Sequence, residues 1–527
     1  MSTSHASAAT DAPQAGLPGL DGRVAVILAI VIGLALLVVG PVSNATLGVT
    51  AALGLILAAV AAHRWPAATL VSATLLTLAD ELITPRVLPA DVGLGPIGLS
   101  EPVLLVIGVV IAARGLRDRT LGPAIRDPVI AIAALFVVVS AVSALVNRVP
   151  LPVAALGIVM TVDALAIYVL ARIVRVDERG AGAAVAGIVL TIVAVALFGI
   201  AQVVVAPTLF GFSSFTGRFG EGVRITSMVG NPNMLATTLG IAIPFALYGS
   251  RHLARPRWRW GARACLFVLV LALLLTFSRG GWLAVGLGVV LGALLVDWRS
   301  ALVFVLAVAL AWGTTIVLPR NVGIEGFGLD PEEFGGSIVD STFDRLENIG
   351  GGRDVRAQYL VDGLRIVLAN PVLGVGPGRY GGAAATIVPS PVYDQYGAEM
   401  FGYRTVHNFW LHLTGEVGVI GVAVFLALVV GLLVRLRRAA RRTSGTAFVV
   451  VAGASTVLVV ASLHSATEMI FEGNMPAFLI WLILGLASVL APVVPWLARG
   501  DGLPPVGTAS GSVARNPPPP ALPGGAE

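Results

Sequence analysis

Residues 264–317 read ACLFVLVLALLLTFSRGGWLAVGLGVVLGALLVDWRSALVFVLAVALAWGTTIV. Three apolar runs, 264–277, 281–296 and 300–317, are separated only by Ser-Arg-Gly and Asp-Trp-Arg. Each run approaches the roughly 20 residues that carry a helix across a hydrocarbon core. The runs are continuous and do not alternate, which argues for helices and against a transmembrane β-barrel.

The same pattern recurs along the chain. Candidate spans lie at 24–40, 46–62, 67–79, 98–113, 128–146, 152–171, 181–204 and 232–249, then the three above, then 407–434, 447–466 and 476–497. Of 527 residues, 57% are hydrophobic and 12% charged. A soluble domain carries about 25% charged residues, so a soluble globular protein and a disordered chain are both excluded. The single cysteine, Cys265, excludes an intrachain disulfide. The expected fold is an all-α polytopic membrane protein. It is a bundle of about 12–14 transmembrane helices, with one long external loop containing short helices.

Arginine placement sets the expected orientation. All 34 basic residues are arginine, and 22 fall in segments that share one side when the N-terminus is inside. RHLARPRWRWGAR (251–263) and RLRRAARR (435–442) mark that side most clearly. Both are short and pinned between spans, so they do not read as nucleic-acid patches. Both termini are then cytoplasmic. The chain divides into a disordered cytoplasmic tail (1–22), N-terminal transmembrane helices (23–204) and further transmembrane helices (205–317). An external loop domain (318–406), C-terminal transmembrane helices (407–497) and a second disordered tail (498–527) follow. The first tail has no positive segment before its apolar run and does not read as a cleaved signal.

The 318–406 loop interrupts an otherwise tight series of spans, and long structured loops tend to be functional. Within it, Val355, Tyr359, Leu360, Leu364 and Ile366–Leu368 recur at helical spacing until Pro371. Such a helix lies on the membrane surface or caps a cavity. NPVLGVGPGRY (370–380) sets Gly374, Gly376 and Gly378 beside Arg379. It lacks the Lys-Ser/Thr of a nucleotide loop and reads as a tight turn.

Charged groups near hydrocarbon mark sites or internal pairs. Arg279, in the outer turn TFSRG, either snorkels or faces an external cavity ready for a phosphate. His407 opens the span HNFWLHLTGEVGVIG at the end of the long loop, placed for base work near neutral pH. Asn408, His412 and Glu416 share one stripe of that span, and His412 and Glu416 read as a buried bracing pair. RITSMVGNPNML places Arg224, Asn231 and Asn233 before another span, and either asparagine suits a helix cap. Asp163, mid-span, reads as a contact between helices. No His-Glu-x-x-His or cysteine pair is present, so no metal is expected.

The order R…GNPN, TFSRG, a long external loop with R…NPVLGVGPGRY, then HNFWLHLTGEVGVIGV resembles the O-antigen ligase and polymerase family of bacterial envelope enzymes. The resemblance covers about residues 224–434. It implies an integral glycosyltransferase that uses a polyprenyl-pyrophosphate-linked glycan donor at the outer face of the bacterial cytoplasmic membrane. No metal and no other cofactor is implied. A glycan, lipid or protein is the acceptor, with the lipid bilayer as the surrounding partner and no nucleic acid. On this resemblance Arg279 and Arg356 hold the pyrophosphate, with Arg353 able to exchange with Arg356 and Arg224 assisting. His407 takes the acceptor's proton. Asn231, Asn233, Asn408, His412, Glu416 and Arg379 support. The competing expectation is a multispan transporter or flippase, which predicts two similar halves with matching broken helices.

Overall fold

The computed structural model describes residues 44–79, 100–204, 215–216, 223–317, 355–381, 406–472 and 475–491. The expected span at 24–40, both tails, Arg353 and the 318–354 and 382–405 parts of the long loop lie outside the described residues. The helices are α1 (Asn44–Arg64), α2 (Pro66–Leu76), α3 (Ser100–Arg117), α4 (Leu121–Ile125), α5 (Pro128–Val146), α6 (Leu151–Val174) and α7 (Glu178–Val204). Then come α8 (Pro232–His252), α9 (Pro256–Leu275), α10 (Arg279–Val296), α11 (Trp298–Val317) and α12 (Val355–Ala369). The last are α13 (Phe409–Ala440), α14 (Gly445–His464) and α15 (Met475–Leu490). One antiparallel pairing, Phe215–Thr216 with Val223–Arg224, precedes α8.

Among the described residues, eight helices are long and apolar enough to cross a membrane: α5, α6, α7, α9, α10, α11, α13 and α14. Apart from that short pairing, the described residues form the helix bundle of a multi-pass membrane protein. Helix α8 is not among the eight, although it is buried from Leu235 to Ser250. Its Thr237, Thr238, Gly240 and Ser250 face other helices. A helix that meets only protein does not need a lipid-like exterior. Helices α10 and α11 instead present Leu283, Leu287, Leu302 and Leu306 outward.

Small residues let the central helices approach closely. A Cβ at Gly288 would lie 2.8 Å from the Val460 backbone, and one at Gly292 would lie 2.6 Å from Thr456. Packing of this kind replaces the hydrophobic effect where lipid is as apolar as leucine. At the arginine-rich end, Asp127 is buried and caps α5 through Val129 N–H at 3.0 Å. Its other oxygen takes Arg435 at 2.7 Å and Arg172 at 3.0 Å. Arg435 also donates to the carbonyls of Ala491 and Ser488, so α5, α6, α13 and the end of α15 share one knot.

Helix α13 is not the continuous span expected from the sequence. It breaks at Gly418, whose φ of 67° and ψ of −175° are non-helical. The turn after α12 supplies the partners that the break releases. Val375 N–H donates to the Gly415 carbonyl at 2.8 Å, and Gly376 N–H to that of Glu416 at 2.9 Å. Val419 N–H in turn donates to the Pro371 carbonyl at 2.9 Å. Backbone groups that leave a helix inside a membrane protein must be paired again, and this turn pairs them.

Gly418→Ala is therefore expected to destabilise the protein by about 1–3 kcal/mol, because its Cβ would meet the Val372 backbone. Gly431→Ala, in open space on the same helix, should leave the thermal midpoint in detergent unchanged or slightly raised. Equal midpoints for the two variants would contradict the role given to the break.

Candidate functional site

Three helix N-termini meet at the end of the bundle opposite the Asp127 knot. Asn231 caps α8, accepting from Asn233 N–H at 2.8 Å and Met234 N–H at 3.4 Å, with Pro232 in the first turn. Ser278 caps α10 by accepting from Gly281 N–H at 3.2 Å. Asn408 caps α13 by accepting from Leu411 N–H at 3.0 Å. Each terminus carries the positive end of a helix dipole, which favours an anion.

A hydrogen-bond chain ties these termini together. His407 Nδ1 lies 3.1 Å from Glu468 Oε2. Glu468 Oε1 accepts from Asn233 Nδ2 at 2.8 Å. Asn233 Oδ1 accepts from Ser278 Oγ at 2.8 Å and from the Arg224 guanidinium at 3.1 Å. Arg224 is further fixed by donating Nε–H to the Thr276 carbonyl at 3.0 Å. Its strand neighbour Ile225 donates to the Leu275 carbonyl at 3.2 Å.

Glu468 is buried, with 4% of its side chain exposed, whereas His407 keeps 37%. A carboxylate only accepts, so the imidazole donates Nδ1–H to it, and Nε2 is the nitrogen that carries the lone pair when the ring is neutral. Among the described residues Nε2 has no partner.

Arg279 is the first residue of α10, beside Ser278. The following Gly280 packs on Thr467, next to Glu468: a Cβ there would lie 2.7 Å from Thr467 Oγ1. Arg356 is the second residue of α12. Tyr359, one turn later, brings its ring to 6.0 Å from that of His407.

Backbone strain gathers here as well. Ser227, Phe277 and His407 have φ of 53°, 49° and 52°. Such values cost non-glycine residues about 1–3 kcal/mol and cluster at functional sites.

The remaining expected residues divide differently. His412 and Glu416 are buried and 3.7 Å apart. Glu472 completes the cluster at 3.3 Å from His412 Nε2, and Tyr380 stacks on the His412 ring at 5.4 Å. Tyr380 N–H donates to Glu416 Oε1. This cluster braces the broken part of α13 against the turn after α12. Arg379 donates to the Asn147 carbonyl at 3.4 Å, so it faces the end of α5. Asp163 accepts from Ala164 N–H within its own helix and joins no part of the chain around His407. Glu468 reads from the sequence as a charge near the outer edge and was not among the expected site residues. Its position just after α14, on the side where His407 was expected, is the signal that would have found it.

Residues 264–426 match the family model described as O-Antigen ligase. This segment is similar to the O-antigen ligase family. No curated protein matches the chain. The ligase-family segment runs from α9 into α13 and contains Arg279, Arg356, Arg379 and His407. Arg224, Asn233 and Glu468 lie outside it and reach the site through α8 and the turn after α14. The match supports a glycan-transfer, ligase-type enzymatic function at the membrane, with a lipid-linked glycan as the general class of substrate.

Glu416→Ala should cost about 3 kcal/mol, because it strips a buried polar cluster of one member. His407→Ala, at a half-exposed ring, should leave the thermal midpoint within a few degrees of wild type. A larger fall for His407→Ala than for Glu416→Ala would overturn the division between bracing cluster and site.

Proposed function

We propose that the protein transfers or polymerises a polyprenyl-pyrophosphate-linked glycan onto an acceptor hydroxyl at the outer face of the membrane. The arginine-rich end then faces the cytoplasm, with both termini on that side, and the His407 end faces outward. The observation that carries this reading is the Arg224–Asn233–Glu468–His407 chain, set among three helix N-termini. An imidazole and a guanidinium linked through Glu468 and Asn233 beside those termini support the reading.

In this scheme His407 Nε2 takes the proton from the acceptor hydroxyl. The acceptor oxygen forms a bond to the anomeric carbon as the bond from that carbon to the pyrophosphate oxygen breaks. The leaving polyprenyl pyrophosphate keeps the electron pair. Arg279 and Arg224 receive its charge, with Arg356 and Arg353 as the further arginines assigned to it. A pyrophosphate leaves without prior protonation, so the spaced carboxyl pair of glycoside hydrolysis is not required. Glu468 is a positioning residue: it fixes the ring and its tautomer, and it steadies the imidazolium that forms. Asn233 holds Glu468 in place and joins it to Arg224.

The test is a transfer assay with purified protein, a polyprenyl-pyrophosphate glycan and candidate acceptors in liposomes. Release of free polyprenyl pyrophosphate together with a transferred or lengthened glycan is the expected product pattern. His407→Ala should lower the rate by about 10²–10⁴-fold. Glu468→Gln should shift the pH profile of kcat, and Glu468→Asp should restore part of it. Full activity in both His407→Ala and Arg279→Ala would sink the assignment. Movement of the lipid with no new glycosidic bond would fit a transporter or flippase instead.

A further inference from the structure

We propose that the arginine-rich end of the bundle carries a binding site for the head group of an anionic phospholipid. It is built from Arg257, Arg259, Arg263 and Arg299 with Trp260 and Trp298. Six other arginines described at that end are already committed. Arg172 and Arg435 hold Asp127, Arg114 and Arg117 meet Asp118, and Arg251 meets Asp297. Arg437 donates to the Leu295 carbonyl. Among the described residues, the four arginines of the proposed site meet no carboxylate. Three of them, Arg257, Arg263 and Arg299, are instead placed against indole rings.

Arg263 lies 4.3 Å from the ring centre of Trp260, Arg257 lies 5.3 Å from that of Trp258, and Arg299 lies 5.7 Å from that of Trp298. The rings are 57%, 66% and 56% exposed for Trp258, Trp260 and Trp298.

The two stretches form one surface. Helices α9 and α11 pack together and both begin at this end. The turns before them are joined where Asp297 takes Arg251 and His252, each at 2.9 Å. Burial works to raise the Asp297 carboxyl. Hydrogen bonds from His252 and Ser300 and the charge of Arg251 outweigh it, holding the group below the ordinary carboxylate range. Among the described residues, the only carboxylate in the joint is thus occupied and leaves the neighbouring charge uncompensated.

Setting the orientation of spans requires positive charge alone. It does not require three exposed indoles beside the guanidinium groups. Trp298 stands one turn before the outward-facing Leu302 and Leu306 of the same helix, at the border between lipid-facing and polar surface. Tryptophan belongs at that level of a bilayer, and basic pockets between spans there hold anionic head groups. The same position favours a lipid phosphate over an acidic soluble protein.

The test is native mass spectrometry of the full chain in detergent, titrated with phosphatidylglycerol and, separately, with phosphatidylcholine of the same acyl chains. Wild type should retain phosphatidylglycerol selectively. Arg257→Gln/Arg259→Gln/Arg263→Gln should weaken that retention by about tenfold or more, with phosphatidylcholine unchanged. The matching triple lysine variant should keep most of the retention and so separates lost charge from misfolding. Arg441→Gln/Arg442→Gln, in another turn of the same end, should behave as wild type. Equal retention of the two lipids, or an unaltered glutamine variant, would overturn the proposal. Full displacement of phosphatidylglycerol by inorganic phosphate would mark a free-phosphate site and would overturn it too. So would saturable binding of polyglutamate without lipid preference.

Discussion

The primary amide of Asn233 is the constraint on which the site depends. Its Nδ2 donates to Glu468 while its Oδ1 accepts from Arg224 and Ser278. The chemistry fixes the orientation of the amide, because a guanidinium only donates and a carboxylate only accepts. Aspartate offers no donor for Glu468, and an aliphatic residue offers nothing to either side. Through this one group the start of α8, the start of α10, the turn after α14 and the approach to α13 are held in a single register. Helix dipoles, strained backbone at Phe277 and His407, and buried Glu468 all act on that frame.

A second constraint keeps the long loop in contact with the bundle. The break at Gly418 frees the carbonyls of Gly415 and Glu416, and the turn after α12 fills them with Val375 and Gly376 N–H groups. Helix α12 is thereby docked along the first part of α13, which brings Tyr359 to His407. The fold gives up helical hydrogen bonds at the break and recovers them between segments distant in sequence. The His412–Glu416–Glu472 cluster, capped by Tyr380, packs against the same joint.

Much of this was legible in the sequence. Continuous apolar runs predicted the spans, and helical spacing predicted α12 with its end near Pro371. Asn231-Pro232-Asn233 predicted a cap on α8 by one of its two asparagines, which is Asn231, and the grouping of arginines predicted that one end would gather them. The motif order in 224–434 predicted the family that residues 264–426 match. Other features were hidden for physical reasons. Periodicity shows a broken span as one apolar run, since glycine at 418 is as acceptable in a helix as in a break. Glu468 belongs to a short turn, and the partner of a turn residue is set by tertiary packing. The separation of Arg379 from His407 likewise depends on how the turn after α12 folds back on α5.

The most direct measurement is a structure of the protein with a non-hydrolysable polyprenyl-pyrophosphate sugar bound. The account predicts the pyrophosphate between Arg279 and Arg224, over the N-termini of α8 and α10. It also predicts the anomeric carbon on the side facing His407 Nε2. A pyrophosphate seated at the Asp127 end, or one separated from His407 by the width of the bundle, would contradict it.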